Sequence, residues 1–182
     1  MKIGILQTGH SPDNMKDALG DYGDMFVKLL GGHGFDFQIW SVVDGDFPAS
    51  AVDADGWLIT GSKHGAYEDH DWIPPLEQLI RAIREAGRPL VGICFGHQII
   101  AQALGGKVEK FAGGWSVGRT EYTIDGETLA LNAWHQDQVT QLPTGPRWSA
   151  RPTSAPMRPC CMMIRSGPSS PTPNSPKTLS TG

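Results

Sequence analysis

Up to about residue 145, short apolar runs alternate with longer amphipathic stretches, a pattern that predicts a parallel sheet covered by helices. Residues 2–7 read as a first strand. Across residues 21–30, Tyr22, Met25, Phe26, Leu29 and Leu30 recur on one helical face, and Gly31-Gly32 stops the helix. Residues 37–43 and 55–60 are expected as strands, the second running into the polar loop Gly61-Ser-Lys-His-Gly65. Residues 74–86 predict a helix, with a proline pair at its start and Gly87 at its end. Residues 90–94 read as a buried strand, and 97–104 as a helix closed by Gly105-Gly106. Three shorter strands, expected to be antiparallel, follow at 107–111, 119–124 and 128–132. The expected fold class is α/β, an open and mostly parallel sheet with helices on both faces and a small antiparallel addition.

From Pro146 the periodicity stops. The run PRWSARPTSAPMRPCCMMIRSGPSSPTPNSPKTLSTG has neither helical nor strand period and a single aromatic residue, Trp148. Charge changes at the same place. Every Asp and Glu lies at or before Asp137, so the part up to there holds 10 basic and 19 acidic residues, while the remainder holds five basic residues and no acid. Prolines are skewed likewise, five before residue 143 and nine from Pro143 onward. The expected division is therefore a domain over residues 1–145 and an aberrant, poorly ordered Pro/Ser/Arg-rich tail over 146–182.

The bulk numbers narrow the function classes. A chain of 182 residues with 39% hydrophobic and 19% charged content fits one globular domain with a sizeable core. No apolar run approaches the roughly 20 residues a membrane helix needs, and no basic stripe suggests nucleic acid. Met1-Lys-Ile-Gly-Ile-Leu reads directly into a strand without leader features, and three cysteines make no disulfide framework. A cytoplasmic location is the expectation.

The stretch with chemical content is Gly92-Ile-Cys-Phe-Gly-His-Gln98. A cysteine between two glycines, at the end of an apolar strand and the start of a helix, has the form of a nucleophile elbow. The helix N-terminus there favours a thiolate, and the next backbone N–H can hold an oxyanion. The bland alternative is an inert buried cysteine, but the strand before and the helix GHQIIAQALGG after favour the elbow. Gly61 opens a loop at another strand end, and in a parallel sheet such loops gather at one edge, so it could face Cys94; taken alone it reads as a plain strand–loop turn.

GICFGHQIIAQALGGKV, ITGSKHGAYED, GGWSVG and HQDQV…LP, in this order, resemble the class I glutamine amidotransferases, in particular the stand-alone type similar to the glutaminase part of GMP synthase. The resemblance covers roughly residues 1–145. It implies a flavodoxin-like sheet and attack of Cys94 on the side-chain amide of L-glutamine, with ammonia released and a γ-glutamyl thioester hydrolysed. It implies oxyanion amides at Gly61 and Phe95 and substrate contacts from Gln98, Trp115, Ser116, Val117, His135, Gln136 and Asp137. No cofactor and no metal are implied. An ammonia acceptor would be a separate synthase subunit. A γ-glutamyl peptidase using the same cysteine, or a glutamine-binding pseudo-enzyme, are the alternatives.

That family's pattern closes with His-Pro-Glu, histidine as base and glutamate as its orienter, and neither is present: none of the six histidines lies after His135. The codons of the tail offer a reason. Rebuilding each codon from the third base of one residue and the first two of the next turns Met162-Met163 and Met163-Ile164 unambiguously into Asp, and Cys160-Cys161 into Leu. Pro171-Thr172, Thr172-Pro173, Pro173-Asn174 and Asn174-Ser175 then permit His-Pro-Glu-Phe. This implies a sequence running one nucleotide out of frame from about Pro146. Elsewhere, His64, Glu68, Asp69, His70 and Asp71 match no standard zinc spacing and read as a solvated loop. His97 is expected to pack within its helix, and His135 is a weak candidate for a substitute base.

Overall fold

In the computed structural model, the described residues are 1–110, 116–124, 127–135, 137–143, 150–152 and 161–164. The elements in chain order are β1 (Lys2–Leu6), α1 (Asp13–Leu19), α2 (Tyr22–Leu30), β2 (Asp36–Trp40), a short 3-10 turn (Val42–Asp44), β3 (Gly56–Ile59), α3 (Ile73–Glu85), β4 (Leu90–Ile93), α4 (Phe95–Ala103), β5 (Lys107–Lys110), β6 (Ser116–Ile124), β7 (Glu127–His135), β8 (Asp137–Gln141), β9 (Ala150–Pro152) and β10 (Cys161–Ile164).

The main sheet has the order β10-β4-β3-β1-β2. β4, β3, β1 and β2 are parallel, and β10 joins β4 antiparallel with Cys161 opposite Ile93 and Ile164 opposite Leu90. The parallel part follows the flavodoxin-like order, in which loops at the carboxyl ends of the strands gather at one edge. Two small antiparallel sheets, β5-β8 and β7-β6-β9, form the expected addition. The expected fold class thus stands. Two short strands, β9 and β10, fall within the stretch that carried no readable period.

The core forms where the patterns meet. Leu76, Ile80 and Ile83, spaced for one face of α3, are all fully buried, as are Ile99 and Ile100 of α4. Trp57 packs on Trp40 with ring centroids 5.3 Å apart, and its indole N–H donates to the Ala51 carbonyl at 3.0 Å. Beyond the ends of β1 and β3 the backbone is tied by Thr8, whose N–H donates to Thr60 Oγ1 at 3.0 Å and whose hydroxyl donates to the Thr60 carbonyl at 3.0 Å. These buried bonds fix where the chain turns out at Gly61.

Two helices differ from expectation. α1 has no buried residue, hence no apolar stripe to read. α2 is capped by Asp21, whose carboxylate accepts from the Tyr22 amide while Asp24 accepts from the Asp21 amide. Its apolar face does not enter the core, since only Gly23 is buried and Leu29 is 70% exposed.

Candidate active site

The elbow depends on three backbones approaching where no side chain fits. A Cβ placed on Gly92 would meet the carbonyl carbon and oxygen of Gly96 at 2.4 Å, and one on Gly96 would meet the Ile59 carbonyl oxygen at 2.4 Å. Only glycine at both positions lets α4 begin directly against the ends of β4 and β3. Cys94 caps α4 with φ 52° and ψ −114°, and it is the one non-glycine residue with positive φ among the described residues. Such a conformation costs about 1–3 kcal/mol and persists only when its surroundings dictate it. α4 consequently starts at Phe95, two residues before the expected start.

The structure brings Gly61, Phe95, Gln98 and Asp137 to Cys94. A Cβ on Gly61 would sit 3.6 Å from Cys94 Cβ, so the β3 loop passes directly beside the thiol. The Phe95 N–H bonds to the Cys94 sulfur. Gln98 is buried, and its Nε2 donates to the Asp137 carbonyl at 3.0 Å, joining α4 to the start of β8. Gln98 therefore holds Asp137 in place. The Asp137 carboxylate accepts from the Tyr67 hydroxyl at 2.9 Å, a partner 70 residues away that no local pattern announces. Ser116 pairs with His135 and Val117 with Trp134 across β6 and β7. Trp115 and Gln136 lie outside the described residues.

Electrostatics here oppose a resting thiolate. Burial pushes the Cys94 thiol above its ordinary value. The Phe95 amide pulls it down, and the Asp137 charge pushes it up again. Burial of this kind favours the neutral thiol. Tyr22 is pushed up by burial, by Asp21 and by the charge of Cys94, which places its phenol within the field of the thiol. With Met25, Phe26 and Leu29 of α2, Tyr22 faces Gly61 across an apolar cavity of about 320 Å³. The helical periodicity identified the apolar face of α2 but not the cavity it lines.

Below Tyr22, Asp21 is bonded by the Ser11 amide at 2.8 Å and by His10 Nδ1 at 2.6 Å, and His10 Nε2 contacts Asp44 at 3.2 Å. Burial pushes Asp21 up, but the Ser11 amide, His10 and the Tyr22 amide together hold it down at about 2. In the loop that follows Gly61, the donor atoms of His64, Glu68 and His70 all lie within 4.8 Å of one another on partly exposed side chains. Among the described residues, no helix is long and apolar enough to cross a membrane.

Comparison with known proteins identifies the family. The family profile described as glutamine amidotransferase class-I matches residues 17–150. Gamma-glutamyl peptidase 4 of Arabidopsis thaliana is 36% identical over 151 residues, covering 73% of this chain and 60% of the relative. A GMP synthase [glutamine-hydrolyzing] of Petrotoga mobilis is 32% identical over 133 residues, covering 68% of this chain and 25% of that protein. The crystal structure of a glutamine amido transferase from Methylobacillus flagellatus superposes with a TM-score of 0.66 at 24% identity, over 84% of this chain and 61% of that one. The chain spans about 60% of the length of the curated peptidases it matches. With a profile that matches most of its length and the fold to go with it, the chain belongs to the class I glutamine amidotransferase family.

Proposed function

We propose that the chain hydrolyses the γ-glutamyl amide bond, with Cys94 as nucleophile and L-glutamine as substrate. The observation that carries this reading is the strained Cys94 at the start of α4, with the Phe95 N–H on its sulfur and Gly61 beside it. The sulfur attacks the γ-carbonyl carbon, and the developing oxyanion is received by the Phe95 and Gly61 amides. The C–N bond breaks and ammonia leaves with a proton. Water then attacks the thioester, giving glutamate and the free thiol. Gln98 and Tyr67 orient Asp137, and the resemblance assigns substrate contacts to Gln98, Trp115, Ser116, Val117, His135, Gln136 and Asp137.

The raised Cys94 makes a base indispensable. The out-of-frame reading of the tail supplies it as the His-Pro-Glu that the chain as written lacks. If ammonia is passed on, a separate synthase subunit receives it, and the cytoplasm is where this chemistry belongs. Glutamate release from L-glutamine, together with labelling by a glutamine-like electrophile that Cys94→Ala abolishes, tests the assignment. Labelling that persists in Cys94→Ala refutes the nucleophile. Glutamine binding without turnover indicates a pseudo-enzyme. Peptide mass spectrometry of the natural protein decides the tail, by a peptide containing His-Pro-Glu-Phe or one containing Cys160-Cys161-Met162-Met163.

A second reading, a γ-glutamyl peptidase, is favoured by the cavity beside Gly61. Its volume of about 320 Å³ is roughly ten times the space of one water-sized molecule, so it accommodates an apolar amine far larger than ammonia. The Arabidopsis relatives, which are gamma-glutamyl peptidases, point the same way. Comparing kcat/KM for L-glutamine and for a γ-glutamyl dipeptide with an apolar second residue separates the two readings.

A further inference from the structure

We propose that His64, Glu68 and His70 form a binding site for a divalent zinc-class ion that clamps the loop between Gly61 and α3. Glu68 Oε2 lies 2.8 Å from His70 Nε2 and 3.3 Å from His64 Nδ1, and the two imidazole rings are 4.2 Å apart. Ligands about 2.0–2.1 Å from a tetrahedral ion stand roughly 3.4 Å from one another. The His64–Glu68 separation is already near that value, the Glu68–His70 separation is somewhat shorter, and all three donor atoms lie within 4.8 Å of one another. Two imidazole nitrogens and one carboxylate oxygen suit zinc rather than calcium or magnesium, which take oxygen ligands. Three protein ligands leave a fourth position for water.

The loop backbone holds the three donors in register. The Glu68 N–H donates to the Gly65 carbonyl at 3.1 Å, and the His70 N–H donates to the Glu68 carbonyl at 3.1 Å. Side-chain exposures of 23% for His64, 43% for Glu68 and 33% for His70 give an ion access from solvent.

The site also connects to the chemistry. The His70 ring stacks on Trp72 at 5.9 Å with an interplanar angle of 11°, and Trp72 packs on Phe95 at 5.5 Å. The same loop begins at Gly61. A bound ion thus tethers both backbones that flank Cys94 without touching the thiol, and its role is to position them. This site is independent of the proposed reaction, because its donors are not the groups that act on the substrate.

Zinc titration of the full chain by calorimetry, paired with cobalt(II) absorption spectroscopy, tests the site. One equivalent is expected, with no sulfur-to-cobalt charge-transfer band and an unfolding temperature that rises with zinc. Glu68→Gln keeps the hydrogen-bonding shape of the side chain but not its charge, so it preserves the fold. It and His70→Ala are each expected to weaken binding by at least ~10-fold and to abolish the rise in unfolding temperature. Unchanged affinity in both variants, a sulfur-to-cobalt band marking cysteine ligation, or no binding at ~0.1 mM metal, well above the micromolar-to-nanomolar range of three-ligand sites, would overturn the proposal.

Discussion

Replacing Gly96 by alanine isolates the steric basis of the elbow. The new methyl would stand 2.4 Å from the Ile59 carbonyl oxygen and 3.0 Å from the Ile59 carbonyl carbon, about 1 Å short of ordinary contact. Ile59 cannot retreat, because it is fully buried in β3 between Leu6 of β1 and Gly92 of β4. α4 must therefore move by about 1 Å. Overpacking of this kind costs about 1–3 kcal/mol, and a 1 Å displacement of a positioned reacting group costs roughly 10²-fold in rate. With a urea m-value of about 2 kcal/mol/M, a loss of about 2 kcal/mol lowers the unfolding midpoint by about 1 M. Urea unfolding and the rate of Cys94 labelling by a glutamine-like electrophile, measured on the same preparation, read both effects. A variant that keeps its midpoint within about 0.2 M and labels at the parent rate would show that the close approach of α4 to β3 does not shape the site.

Two further outcomes follow from the charges. Alkylation of Cys94 by iodoacetamide is expected to be slow near neutrality and to rise with pH past the range of an ordinary thiol, because burial and Asp137 raise its pKa. Asp137→Asn should shift that profile to lower pH, and a shift upward or none would remove Asp137 from the field of the thiol. For Asp21, the depressed value of about 2 against an ordinary 3.8 means stability present above pH ~4 and lost as pH falls toward 2, worth about 2 kcal/mol. His10 has the opposite sign: its pKa is raised by Asp21 and then Asp44, so its contribution is complete below its ordinary 6.5 and is lost as pH rises through the folded value. Asp21→Asn, which preserves the cap, should therefore lower stability most between pH ~4 and ~6.5 and hardly at all near pH 2. A pH-independent difference in thermal unfolding would contradict this account.

The parts of the site that were legible in the sequence are those whose physical cause is local. Glycines on either side of Cys94 announce an elbow, and for Gly92 the steric demand comes from Gly96 within the same five residues. The strand ending at Ile59 and the buried positions of α3 were readable from period alone. The bonds of Asp137 to Gln98 and Tyr67 span 39 and 70 residues, and nothing in either segment encodes its partner. α2 shows a different limit. Periodicity reveals which face of a helix is apolar, and Tyr22, Met25, Phe26 and Leu29 do share one, but not whether that face meets the core or walls a cavity. The thiol of Cys94 shows the same division: the helix start is visible in the sequence, while the burial that pushes the thiol up belongs to the folded whole.

The strand order β10-β4-β3-β1-β2 also sets a timetable. During synthesis β1 and β2 can pair first and β3 can add to β1, so a platform exists before the elbow strand emerges. β4 then docks on β3 with its other edge bare, and the segment that covers it lies about 70 residues further along the chain. At ribosomal speeds of roughly 5–20 residues per second, that edge waits on the order of 5 s for its partner. The strand bearing the nucleophile is thus the last parallel strand to be sealed, and the nascent chain is most exposed to wrong pairing at the place where its chemistry will reside.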